Sequence, residues 1–349
     1  MLRIMHCADL HLDSPFAGLP PEQAAQRRQL QRCLPGQIVD RSNELGCQLL
    51  LVAGDVFDGD RVSPETIEAL RTAFARSRAR IFIAAGNHDP LSADSPWTAI
   101  RWPEQVHIFG SRQESVLLPE LGCRIWGRSF TGRESYGPLE PVPAEGWLEI
   151  GVFHGDPENP GPYGYLPPEQ IAASGLDYLA LGHIHRRSMP RQAGKTWYGW
   201  PGVAMGRGFD ETGACGVFHV TLEHGCCRAR FESLPGPRYE KLTVPVGEEP
   251  DIPADSQQLH CRITLIGESD PPDLEALWQQ WSGRFHSLEL RDETTPKREL
   301  WADCGGGTLR GLALDWLKAR GEQEDPQLAA MAARYLLAAL EGRDLPCGS

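Results

Sequence analysis

The chain has 349 residues, 41% of them apolar, enough to bury one sizeable core and leave material for a smaller appended domain. Its net charge of −13 excludes a surface that is cationic all round, so a polyanion would need a local basic patch. No apolar run reaches the roughly 18 residues of a membrane span, and ten scattered cysteines without a C-x-x-C pair read as reduced thiols, not a disulfide framework.

The start, MLRIMHCADLHLD, puts charge and histidine where a secretory signal needs an apolar core, so a cytoplasmic protein without a membrane segment is expected. Within it, LRIMHC reads as a strand running into ADLHLD, with Asp9 and His11. CQLLLVAG runs into GDVFD, with Asp55, and residues 64 to 78 read as a helix. RIFIAAG runs into GNHD, with Asn87, His88 and Asp89. LEIGVFH ends on His154, and DYLALGH leads into GHIH, with His183 and His185. Strands alternating with polar helical stretches predict a layered α/β domain over residues 1–235. In such sheets, sites gather at the carboxyl ends of the strands.

From Cys215 the texture changes to CGVFHVTL and CCRARFESL, and the Pro-rich LPGPRYEKLTVPVGEEPDIP marks a boundary. A small β-α-β cap domain is expected over 236–298, from QLHCRITLIG, DLEALWQQW and FHSLELR. Residues 299–349 read as a helical segment that docks a partner. Leu309, Leu312, Ala313, Trp316 and Leu317 form one apolar stripe; Leu328, Met331, Tyr335, Leu336 and Ala339 form another, opened by Asp325 and Pro326 as cap and first turn.

Taken singly, each cluster has a plainer reading: His154 as a satisfied core histidine, GNHD as a turn, GDVFD as an ordinary strand exit. Together, five clusters of oxygen and imidazole donors after five apolar strands suit a pair of borderline divalent ions. Two cations about 3.5 to 4 Å apart repel, so a carboxylate has to bridge them, and Asp55 is the expected bridge. Glycine before the ligands in GDVFD, GNHD and GHIH keeps bulk away from that centre.

The series D-x-H, G-D-x-x-D, G-N-H-D, H and G-H-x-H, spread over residues 5 to 187, resembles the calcineurin-like metallophosphoesterases. That resemblance implies a four-layer α/β/β/α sandwich. It implies Asp9, His11, Asp55 and His185 on one metal and Asp55, Asn87, His154 and His183 on the other. His88 would face the scissile phosphate and Asp89 would orient it. Manganese is the first expectation, with iron, zinc or magnesium as alternatives. CADLHLD, GDVFD and YLALGHIH are most similar to the SbcD-type DNA repair nucleases, partners of SbcC-type ATPases, and WYGWPGVAMGRGFDETGACG to a YhaO-like bacterial branch. Asp58 stands where some nuclease relatives carry a histidine, so an exonuclease role of that histidine does not transfer.

The expected activity is phosphodiester hydrolysis with a metal-bridging hydroxide as nucleophile, its pKa lowered from 15.7 to about 7, and with His88 stabilising charge or protonating the leaving oxygen. The basic residues Arg186, Arg187, Arg191, Lys195 and Arg207 have no acidic residue among them and interleave with Trp197, Tyr198 and Trp200. Such an edge suits DNA phosphates and unstacked bases, with Arg186, Arg187, Arg191 and Arg207 as substrate contacts. A DNA nuclease subunit working with an SbcC-like ATPase is the first reading. A phosphatase or phosphodiesterase for small molecules or phosphoproteins is the alternative, and a non-catalytic scaffold is disfavoured by the complete ligand set. Related nucleases also pair as homodimers.

Overall fold

Two runs in the computed structural model, Leu49–Ala53 and Tyr178–Gly182, are buried at every position, as parallel strands covered on both faces must be. The structure describes residues 1–59, 61–134, 137–269, 271–295 and 300–340. The chain begins with β1 (Leu2–Cys7), α1 (Pro21–Glu44), β2 (Leu49–Ala53), α2 (Pro64–Ala75), β3 (Arg80–Ala84), α3 (Pro96–Ala99) and β4 (Val106–Ile108). There follow β5 (Glu114–Leu118), β6 (Cys123–Arg128), β7 (Leu148–His154), α4 (Pro168–Ala173), β8 (Tyr178–Gly182), β9 (Arg191–Ala193) and β10 (Thr196–Gly199). The remainder is β11 (Gly216–Glu223), β12 (Cys226–Ser233), β13 (Arg238–Pro245), β14 (Leu259–Ile266), α5 (Leu274–Trp281), β15 (Ser287–Asp292), α6 (Leu309–Gln323) and α7 (Pro326–Leu340).

The first sheet runs β12-β11-β1-β2-β3-β4, the second β5-β6-β7-β8-β10-β9, and a third β13-β14-β15. β1 to β4 are parallel, and β11 closes the free edge of β1 in antiparallel register, Ile4 opposite Val220. In the second sheet β6, β7, β8 and β10 are parallel.

Burial on both faces of each sheet makes four layers. Leu34, Ile38, Leu70 and Phe74 of α1 and α2 pack on Met5, Leu50, Val52 and Ile81. The two sheets meet through Ile4, Leu49, Leu51 and Phe82 against Ile125, Ile150, Val152 and Tyr178. Ile171 of α4 covers Leu179 and Leu181 on the far side. The α/β/β/α sandwich expected from the sequence is therefore the observed architecture. His6 is buried between the sheets, with Nδ1 2.9 Å from the Tyr178 hydroxyl and Nε2 2.9 Å from the Leu181 carbonyl. Burial pulls its pKa down to about 3, so it serves as a neutral polar spacer.

The helix expected at 64–78 stops at Ala75, because the Arg76 N–H folds back onto the Ala73 carbonyl at 3.1 Å and the chain turns toward β3. At its start, Ser63 Oγ accepts from the Thr66 N–H at 3.3 Å, and Pro64 supplies the first turn.

The chain divides into two compact units. The first takes Met1–Lys241, Pro253–Arg262 and Ser282–Glu289 and holds both large sheets; the second takes Leu242–Ile252, Ile263–Trp281 and the chain from Leu290 onward. Within the second unit, Thr308 caps α6 through the Gly311 N–H and Asp325 caps α7 through the N–H groups of Gln327 and Leu328. The two helices pack through Leu314, Ala333 and Leu337. Much of the stripe seen in the sequence faces outward: Leu309 is 83% exposed, and Leu312, Trp316 and Leu328 are also exposed.

Candidate metal centre

Both large sheets deliver side chains to one point. β1, β2 and β3 end just before Asp9 and His11, Asp55, and Asn87; β7 ends on His154, and β8 ends just before His183 and His185. The chain turns sharply there, with positive φ at Asp9 (52°), His11 (44°), Asp55 (50°) and His183 (102°). Non-glycine residues hold such angles only where surrounding structure fixes them. Here the Asp9 and His11 N–H groups are bound to the Gly54 and Asp55 carbonyls, each at 3.0 Å. The glycines are spatially required: a Cβ on Gly86 would lie 2.1 Å from Asp55 Oδ1, and one on Gly54, which has φ +89°, would lie 2.3 Å from His154 Nδ1.

The donor atoms face one another. His154 Nδ1 lies 2.9 Å from the Ala53 carbonyl and so carries the proton. Its Nε2 then points at two oxygens, Asn87 Oδ1 at 2.9 Å and Asp55 Oδ2 at 3.3 Å. Burial lowers the His154 imidazole, but the charge and hydrogen bond of Asp55 outweigh it and carry the pKa to about 9. Positive charge is wanted at this point, as a proton or as a metal ion. His183 Nδ1 faces the same Asn87 oxygen at 3.1 Å.

A second convergence lies beside the first. His11 Nδ1 donates to Asp58 Oδ1 at 2.8 Å, and His185 Nδ1 lies 2.8 Å from Glu211 Oε1, an acceptor that requires the proton on Nδ1. Both Nε2 lone pairs are then aimed at each other across 3.1 Å, an arrangement a shared cation relieves. Asp9, His11 and His185 form one group of potential ligand atoms within 4.8 Å of one another, and Asp9, Asp55 and His154 form another. Asp9 belongs to both groups, and Asp55 lies between His11 and His154. Its Oδ1 accepts from the His88 N–H at 2.9 Å, and its Oδ2 lies 3.3 Å from His154 Nε2 and 3.8 Å from His11 Nε2. Burial raises this carboxyl, but His154 and His11 pull it well below the usual carboxylate range. The donor set of carboxylate, imidazole and amide fits two divalent cations.

His88 sits at the rim, its side chain 45% exposed, its ring 4.9 Å from that of His11 and its Nδ1 3.9 Å from Asp58 Oδ1. Burial lowers its pKa in spite of Asp55, favouring the neutral ring. Asp89 is fully enclosed, and its carboxylate accepts from the backbone of Gly86, Asp55, Val56 and Phe57 at 2.7 to 3.3 Å. Burial and the Asp55 charge push that carboxyl up, against four donors that favour its ionised form. The carboxylate nearest the His88 ring is Asp58.

The basic run divides. Arg186 is exposed beside a cavity of about 410 Å³ lined by His185, Arg186, Arg187, Met189 and Thr212. Arg187 stacks on Phe231 at 4.1 Å, while Arg191 lies over Trp200 and pairs with Glu158 at 2.6 Å. Arg207 turns inward to Glu211 and Asp58, 2.6 and 2.9 Å away. Glu211 is the residue that sequence reasoning missed. Burial would raise its carboxyl, but hydrogen bonds from His185 and Arg207 hold it at about 2. The available signal was its position four residues after Arg207 in GRGFDETG.

Known proteins with similar sequences place this geometry in a family. The calcineurin-like phosphoesterase family model matches residues 2–187. The uncharacterized metallophosphoesterase YhaO of Bacillus subtilis is 31% identical over 288 residues, 78% of this chain and 70% of that protein. The SbcD component of the SbcCD nuclease from Rhodobacter capsulatus is 33% identical over 117 residues, only 32% of this chain and 27% of that protein. Among solved structures, an archaeal phosphodiesterase aligns with a TM-score of 0.38 at 15% identity, over 66% of this chain and 100% of its own. A Thermus thermophilus protein aligns with 0.40 at 11% identity, over 66% and 98%. Among the described residues, no helix is long and apolar enough to cross a membrane. With the family model spanning the strand-end clusters and a relative matched over most of its length, the chain belongs to the calcineurin-like phosphoesterases.

Proposed function

We propose that the protein is a dimetal phosphodiesterase that cleaves DNA. The observation carrying the metal reading is the pair of donor groups that face each other across Asp55 with their lone pairs turned inward. Asp9, His11, Asp55 and His185 would hold one ion, and Asp55, Asn87, His154 and His183 the other. Two bound cations supply an activated water at neutral pH and neutralise the phosphoryl oxygens. His88, neutral and at the rim, would stabilise developing charge or give a proton to the leaving oxygen. Asp89 holds the turn from Asp55 to Phe57, and so the bridging carboxylate, in place.

DNA as substrate is supported by the basic edge beside His185 and by the partial likeness to a nuclease component. Manganese-dependent cleavage of single-stranded DNA, compared with that of bis-p-nitrophenyl phosphate, tests this reading. Cleavage of the small ester alone would favour the phosphatase reading. Replacing Arg186, Arg187 and Arg191 by glutamate is expected to weaken DNA binding about tenfold or more at 0.1 M salt and flatten its salt dependence, because each phosphate contact releases counterions. The small ester should be turned over nearly as before, and equal loss on both substrates would count against a DNA track.

The second unit supplies the partner reading. Leu309, Leu312, Trp316 and Leu328 leave an apolar face on the α6–α7 pair, which we assign to an SbcC-like ATPase. Leu312→Glu with Trp316→Glu should abolish co-purification with that ATPase and leave solubility and hydrolysis unchanged, since both side chains are outside the α6–α7 core. Undiminished co-purification would remove the assignment.

A further inference from the structure

Three loops carry the first group of candidate ligands: Asp9 and His11 after β1, Asp55 after β2, and His185 after β8. A fourth segment, Arg207 to Glu211, contributes no ligand, yet its side chains hold the outer nitrogens of that group in a closed brace. Glu211 Oε1 meets His185 Nδ1 at 2.8 Å, and Asp58 Oδ1 meets His11 Nδ1 at 2.8 Å. Between the two carboxylates lies the Arg207 guanidinium. Its Nη1 donates to Asp58 at 2.9 Å, and its Nη2 and Nε donate to Glu211 at 2.6 and 3.1 Å. The Arg207 N–H also donates to Glu211 Oε2 at 2.8 Å, and the Glu211 N–H to the Gly208 carbonyl at 3.0 Å, so the segment is folded on itself. Asp58 is fixed in turn by its N–H, bound to the Leu12 carbonyl at 3.0 Å.

The chemistry of this arrangement is directional. A planar fork with fixed N–H vectors sets two carboxylates at a fixed separation, which a flexible ammonium does not. Each carboxylate takes the Nδ1 proton of one histidine and thereby turns the Nε2 lone pair inward. Among the described residues no such side-chain brace is seen at the other group: His154 Nδ1 rests on the Ala53 backbone carbonyl, and His183 is stacked by the ring of Tyr163, 5.7 Å away.

We propose that Arg207, acting through Asp58 and Glu211, is a positioning residue for the ion held by His11 and His185, and not for its neighbour. The inference rests on the dimetal reading. Three of the guanidinium's five N–H bonds go to these two carboxylates, its Nη2 also lies 3.2 Å from His185 Nδ1, and its side chain is only 21% exposed, so it acts on the metal site. The outer nitrogens of His11 and His185 are thus fixed by a side-chain brace, whereas that of His154 is fixed by a backbone carbonyl.

Calorimetric titration of the metal-stripped full-length chain with manganese tests this, together with the electron paramagnetic resonance of the loaded protein. The wild type should bind two ions and show the exchange-coupled signal of a manganese pair. Arg207→Gln and Glu211→Gln should each weaken one binding event about 10- to 100-fold, the usual effect of losing an outer partner, and leave the other within about twofold. At limiting manganese the coupled signal should give way to that of an isolated ion, and excess manganese should restore it. Arg207→Lys, which keeps the charge and loses the fork, should behave as Arg207→Gln does. Two unchanged binding events in Arg207→Gln, or equal weakening of both, would overturn the proposal. A wild-type chain that binds fewer than two ions would instead overturn the dimetal reading.

Discussion

Asp55→Asn is expected to abolish hydrolysis and to strip the centre of metal while leaving the fold in place. The two oxygens of Asp55 do different work. Oδ1 is tied to the His88 N–H, which an amide oxygen can retain, whereas Oδ2 faces His154 and His11 together. An asparagine keeps the shape but loses the charge that holds two cations close to each other. The loss of affinity should exceed the roughly 10- to 100-fold that follows from removing an outer partner. Metal analysis of the purified variant checks this, beside its circular dichroism. Two ions per chain with wild-type turnover would remove Asp55 from the bridging role.

His88→Ala is the second large effect, and it should separate binding from chemistry. The His88 side chain lies at the rim, and only its backbone N–H touches Asp55, so alanine preserves that bond. Metal content and DNA affinity should therefore persist. Turnover should fall by about 10²- to 10⁴-fold, the usual contribution of a group acting in the transition state. Loss of metal in this variant would make His88 a ligand. Asp58 and His11 lie within reach of its ring, and such an outcome would point to that side of the pocket.

What the sequence disclosed follows from how sheets are built. Central parallel strands are apolar along their whole length, so LLLVA and YLALG stand out, and the ligand loops that follow them are punctuated by glycine, aspartate and histidine. Short or polar elements carry no such signal: β9 and β10 have three and four residues, and the 24-residue α1 is largely polar with Pro35 inside it. Arg207 shows the same limit at the site. In a run of basic residues without acids it reads as a phosphate contact, but the fold supplies two carboxylates, from Asp58 and from Glu211 one turn later. The tail stripes were legible as apolar, while the face that packs, Leu314 with Ala333 and Leu337, is set by how the two helices meet.

The order of strands in the first sheet has a consequence for a chain made from its N-terminus. β1 and β2 emerge first, with Asp9, His11 and Asp55 already in sequence, but β1 pairs on its other side only with β11, which begins at Gly216. At roughly 5 to 20 residues per second, on the order of 10 to 35 s separate the synthesis of Asp9 from that of His185. During that interval the nascent chain presents an open strand edge and an incomplete chelating set, in which Asp9, His11, Asp55 and Asn87 of the first sheet wait for the last histidines of the second. Completion of the donor set is therefore a late event that waits for His185, and protection of that edge is later still, postponed until β11 leaves the ribosome.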